Sequence, residues 1–160
     1  MKKSLLFVSL LCAPLVAAHA KPAKKASAKP SGVVWRTNFD VALKEAKKSG
    51  KPVFIDFYTV WCGPCKYLEQ TTYRDPKFVR ASRNWVMVKL DAEKGARNLQ
   101  LAKKYKLEGY PTLLMLDMGG RKLHQVAGAF PTEMMLAEMQ KAEKKMGVLS
   151  ASRPTTKTTG

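Results

Sequence analysis

Apolar residues along the chain fall into blocks whose period alternates between that of a strand and that of a helix. Val53 to Tyr58 is an almost unbroken apolar run, interrupted once by Asp56. Its length and its β-branched and aromatic content predict a strand covered on both faces. A second run, Trp85 to Asp91, is apolar at 86, 88 and 90. Thr112–Asp117 and Lys122–Ala127 predict two more strands, and Gly119-Gly120 between them predicts a hairpin. Between these runs the spacing turns helical. Phe39, Ala42, Leu43 and Ala46 form one stripe in a helix over 37–49, opened by a Thr37-x-x-Asp40 capping box and closed by Gly50. A helix runs from Cys62 to about Gln70, a short one starts at Asp75-Pro76 and ends near Ser82, and another covers 95–107 with Leu99, Ala102 and Tyr105 inward. Pro131 opens a last helix to about Met146, whose Met135, Met139 and Met146 are read as core packing. Strands alternating with helices define an α/β chain, and no internal repeat is visible.

The ends of the chain follow other rules. Met1-Lys2-Lys3, the apolar stretch Leu5–Val16 and Ala18-His19-Ala20 form the three parts of a secretory signal cleaved after Ala20. The apolar stretch is too short for a comfortable membrane anchor. A lipoprotein reading of Cys12 is weaker, because Leu11 stands where a small residue is usual. Residues 21–32 read as a basic flexible linker, 33–146 as one domain, and 147–160 as a disordered tail. The 160 residues carry 29 Lys and Arg against 12 Asp and Glu. Cleavage removes Lys2 and Lys3, leaving 27 basic residues against 12 acidic and a net charge near +15. Such an excess favours anionic membrane surfaces, acidic partners or nucleic acid. The chain shows none of the common nucleic-acid-binding motifs, which argues against the last. It is expected to be a monomer.

The candidate chemistry lies where the first long strand meets its helix. Cys62 and Cys65, at i and i+3 in a first helical turn, share a face and lie close enough for a disulfide with little backbone movement. Unpaired N–H groups and the helix dipole at that end stabilise a thiolate on Cys62. Pro64 removes a donor that would be unpaired anyway, and Gly63 leaves the first sulfur unobstructed. Two alternatives stand beside the redox reading. A zinc site needs about four ligands, and the only other Cys and His residues are Cys12, His19 and His124. A structural disulfide here would close a loop of about four residues and stabilise little. His124 is assigned no role. Asp56 inside an apolar strand is costly unless its pKa rises, which makes it a usable proton acceptor for Cys65.

Trp61-Cys62-Gly63-Pro64-Cys65, with Asp56 before it and Gly109-Tyr110-Pro111-Thr112 after it, resembles the thioredoxin family over about residues 35–146. The resemblance implies the thioredoxin fold, a central mixed β-sheet flanked by helices on both faces. It gives Asp56 the proton-acceptor role and places Lys89 beside it as a catalytic residue. It implies a cis-proline at Pro111, and a substrate-docking surface of Trp61, Gly63, Pro64, Tyr110, Pro111, Gly128 and Ala129. Tyr110 departs from the small or β-branched residue usual there. Flanking residues (Trp35, Lys51-Pro52, Glu69, Thr72-Tyr73, Asp75-Pro76) resemble secreted thioredoxin-like proteins and the C-terminal thioredoxin domain of the bacterial transmembrane thiol–disulfide interchange reductase. The expected function is a periplasmic reductase of protein disulfides, supplied with electrons by a membrane thiol–disulfide donor. It would need no cofactor beyond the Cys62–Cys65 disulfide. A binding or adaptor module with an idle disulfide, and an oxidase or isomerase, are the alternatives.

Overall fold

A computed structural model of the protein describes residues 31–151. The expected signal sequence, nearly all of the basic linker and the end of the tail lie outside the described residues.

The elements are β1 (Trp35–Arg36), α1 (Phe39–Ser49), β2 (Val53–Tyr58), α2 (Gly63–Gln70), a 3-10 turn over Thr72–Arg74, α3 (Pro76–Ser82), β3 (Val86–Asp91), α4 (Ala96–Lys104), β4 (Thr112–Leu116), β5 (Lys122–Ala127) and α5 (Thr132–Ala151). They build one mixed sheet in the order β1-β3-β2-β4-β5. β3 runs parallel to β2 and pairs Asp56 with Lys89, while β4 runs antiparallel and pairs Asp56 with Leu113. β2 therefore lies at the centre, and alternate side chains enter two separate cores. Val53, Ile55 and Phe57 join the core under α1 and α4. Phe54 joins the one under α2, α3 and α5, with Leu68, Phe78, Met135 and Met139. Burying both faces explains why the strand reads as a continuous apolar run rather than an alternation.

Five details differ from the sequence reading. α1 is capped by Asn38, whose side chain accepts from the Val41 N–H, and not by a Thr37 box. Asn caps as well as any residue, and Asp40, freed from that duty, pairs with Arg97. On α4 it is Leu101, with Tyr105 one turn on, that enters the core, while Leu99 stays 43% exposed. The two-residue strand β1 extends the sheet beyond β3, a pairing too short to leave a periodic signal. Met87 is buried like Val86 and Val88, because β3 too is covered on both faces. Last, α5 continues past Met146 to Ala151, so residues 147–151 belong to the helix rather than to a disordered tail. Met146 and Leu149 pack against the core beneath α5, which gives that last turn a reason to form. Among the described residues no helix is long and apolar enough to cross a membrane.

Candidate functional site

β2, the central strand, ends at Tyr58, and after a short turn α2 begins. Cys62 is the N-cap of α2: its backbone is extended, its N–H donates to Thr59 O, and its sulfur accepts from the Cys65 N–H at 3.1 Å. Pro64 sits in the first turn. Cys62 and Cys65 are joined by a disulfide, with Cα atoms 5.3 Å apart. Each is only 2% exposed. A Cβ built on Gly63 would meet nothing within 4 Å. The fold does not demand glycine there, and what its missing side chain leaves open is the approach to Cys62.

On the sheet face that α2 covers, Asp56 is wholly buried, and neither carboxylate oxygen has a hydrogen-bond partner. Burial pushes its pKa up to about 6, against the attraction of Lys89, which lowers it. The Tyr73 hydroxyl also lowers it, and Glu69 raises it slightly. That hydroxyl is itself buried and faces Asp56 outside hydrogen-bonding geometry. Lys89 does not bond Asp56. Its ammonium pairs with Glu69 and lies 4.7 Å over the Tyr58 ring, so it acts on Asp56 through its field alone.

The expected docking residues fall in two groups, linked by the contact between Trp61 and Tyr110. The Tyr110–Pro111 peptide is cis, and Pro111 O accepts from the Gly128 N–H at 2.8 Å, which ties the loop before β4 to the loop after β5. Gly128 has a φ of 117°, a backbone state that favours glycine. Ala129 is half-buried and packs against the core on the α5 side, so it contributes backbone rather than side chain to any groove. Trp61 is 64% exposed, and its ring meets Tyr110 edge-on with centroids 5.9 Å apart. Its indole N–H donates to Glu93. Glu93, with Tyr73, is a neighbour the sequence reading missed as a site residue; a surface glutamate and a core-like tyrosine send no local signal of what they face. His124 contacts Glu138 of α5, not the cysteines, so the zinc alternative finds no ligand there. Among the described residues no three His, Cys, Asp or Glu side chains cluster as metal ligands.

The mixed sheet, the Cys-x-x-Cys disulfide capping the helix after its central strand, and the cis-proline loop define a thioredoxin-fold protein. Comparison with known proteins agrees. Residues 34–118 match the family model described as thioredoxin-like, and the chain belongs to that family. It is 31% identical over 106 residues to chloroplastic thioredoxin Y of Oryza sativa, covering 66% of this chain and 58% of that protein. It is also 31% identical over 109 residues to the thiol:disulfide interchange protein DsbD of Pseudoalteromonas atlantica, covering 68% of this chain and 18% of DsbD. The chain thus spans somewhat over half of the first of these curated relatives and less than a fifth of the second. A solution structure from Bacteroides thetaiotaomicron, described as a candidate disulphide isomerase, is 34% identical with a TM-score of 0.64, covering 73% of this chain and 98% of that one. A thioredoxin from Thermus thermophilus, at 22% identity and a TM-score of 0.66, shares the fold; it covers 74% of this chain and 93% of its own.

Proposed function

We propose that this protein is a periplasmic thiol–disulfide oxidoreductase that reduces disulfides in protein substrates. One observation carries the reading: a disulfide caps α2, and the sheet face which that helix covers holds a buried carboxylate whose pKa of about 6 suits it to take a proton near neutral pH. Gly-Pro between the cysteines and the match to DsbD relatives support the reducing direction.

In the reduced protein the Cys62 thiolate attacks one sulfur of a substrate disulfide. A mixed disulfide forms, and the other substrate sulfur leaves as a thiolate. Cys65 gives its proton to Asp56, attacks the Cys62 sulfur and releases the second substrate thiolate. Two electrons have then passed to the substrate, and Cys62–Cys65 is again a disulfide. Asp56 and the two cysteines do the chemistry; Lys89, bonded to Glu69, sets the field around Asp56. Trp61, Gly63, Pro64, Tyr110, cis-Pro111, Gly128 and Ala129 hold the substrate chain. A membrane thiol–disulfide protein returns the electrons. Residues 1–20 serve as the cleaved export signal and 21–32 as a basic linker, and the protein works as a monomer.

The test is reduction of insulin disulfides by dithiol-charged protein. Wild type turns over, and Cys62→Ser falls to the uncatalysed rate; equal rates for both would make the disulfide an idle one and the protein an adaptor. Similarity to the Bacteroides candidate isomerase favours isomerisation as a second reading. A glutathione equilibrium separates the two. The reductase predicts a potential nearer the thioredoxin value of about −270 mV, and one above about −180 mV assigns the protein to the isomerising or oxidising side.

A further inference from the structure

Away from the dithiol, the surface carries a cleft walled by cations. No β5 residue belongs to the core under α1 and α4, so on that side the edge strand lacks the helical cover its neighbours have. The space between β5 and the end of α4 is a cleft of about 530 Å³. Lys104 and Lys106 stand on one wall and Lys122 on the other, with Glu108 the single acidic residue of the lining. None of the three lysines pairs with a described carboxylate, although Asp40, Glu45, Glu69, Asp117, Glu133 and Glu138 each hold a cation. Lys104 lies with its ammonium over the Tyr105 ring, and Lys122 reaches only the Gln125 amide. Lys106 holds a φ of 52°, a left-handed backbone that glycine adopts more readily than lysine.

The cleft is continuous with the docking loops. Its lining includes Thr112 and Ala127, the residues next to Pro111 and Gly128, whose backbones are hydrogen-bonded to each other. From there to Lys122 is the length of β5, roughly 20 Å at about 3.3 Å per residue. Every Asp and Glu of the given sequence lies between Asp40 and Glu143. Charge complementarity favours an acidic segment of another molecule as the occupant. A planar membrane surface does not enter a cleft between a helix and a strand, whereas an extended peptide already seated at Pro111 does.

We propose that this cleft recognises an acidic segment of the disulfide-bearing substrate, centred about three to six residues from the half-cystine that reaches Cys62. The inference rests on the reductase reading and narrows its substrate class to polypeptides with Asp or Glu flanking the disulfide.

Disulfide-linked peptides identical except for three Asp, three Asn or three Lys at that spacing test it with the full reduced chain. The Asp peptide should be reduced with a kcat/KM about tenfold above the Asn peptide at low ionic strength, and the advantage should vanish near 0.5 M salt. The triple variant Lys104→Gln, Lys106→Gln, Lys122→Gln should lose the preference and reduce the Asn peptide at the wild-type rate. Equal rates for the Asp and Asn peptides, or a preference that survives in the triple variant, would overturn the proposal. Binding of a cysteine-free Asp peptide to the oxidised protein, read by fluorescence anisotropy, decides the cleft independently of turnover. If no peptide is reduced the reductase reading falls, and the anisotropy result still stands for or against the cleft. Sedimentation with anionic phospholipid vesicles is the remaining arm: binding that the triple variant loses, without any peptide preference, would assign the lysines to a membrane surface and contradict the proposal.

Discussion

The face of the sheet under α1 and α4 differs from the face under α2, α3 and α5 in what lies at its centre. On the first, β2 contributes Val53, Ile55 and Phe57, and the neighbouring strands add Val86, Val88, Leu90, Leu114 and Leu116, all buried and all apolar. On the second, β2 contributes Phe54 and then Asp56, a wholly buried carboxylate with no hydrogen-bond partner. The same strand is buried on both faces, and the first face is packed without any buried charge from β2. The cost of Asp56 is accepted on the face that the disulfide-capped helix α2 covers, and that placement separates a working residue from a framework one.

The uniform face should answer to packing alone. Leu114→Ala removes a fully buried side chain and is expected to destabilise the protein by about 2–5 kcal/mol in urea melts. The rate of disulfide reduction per folded molecule should stay as it was.

Asp56→Asn should do the reverse. Its folded pKa, about 6, lies above the unfolded 3.8, so ionisation opposes folding. The favourable contribution is complete below pH 3.8 and is lost as pH rises through about 6. The Asp56 contribution to wild-type stability should therefore fall between about pH 4 and pH 6 and then level off, by roughly 3 kcal/mol or less. Asp56→Asn should lack that decline and be no less stable than wild type at pH 7, while release of the mixed disulfide slows by up to about 10²-fold. Denaturant melts across this range check the first effect and stopped-flow reduction the second.

The smallest effect belongs to Tyr73. Its hydroxyl favours the ionised carboxylate, so Tyr73→Phe should move the Asp56 pKa further upward in a carbon-detected NMR titration. Overall stability should change by under about 1 kcal/mol, because the lost hydroxyl had no hydrogen-bond partner. An unmoved pKa would confine Tyr73 to packing.

The contrast between the faces was half visible beforehand. A single Asp in an apolar strand, and two cysteines at the start of a helix, are local patterns that the strand and helix periods expose directly. What escaped was set by groups distant in sequence. Asn38 rather than Thr37 caps α1 because the chain turns one residue later, a choice made by side-chain geometry and not by spacing. Leu99 and Leu101 are both compatible with a helical stripe, and only the way α4 is seated on the sheet picks Leu101. Tyr73 reads as one more aromatic of the core, since nothing in its neighbours says that its hydroxyl ends at Asp56. Lys89 appears beside Asp56 in register but spends its charge on Glu69, twenty residues away.

The central claim is that Asp56 accepts the Cys65 proton. It is tested most directly by trapping the mixed disulfide of Cys62 with a peptide thiol and following its resolution across pH by stopped flow. An inflection near pH 6 in the wild type, absent in Asp56→Asn, is the predicted result. Superimposable profiles for the two proteins would contradict it.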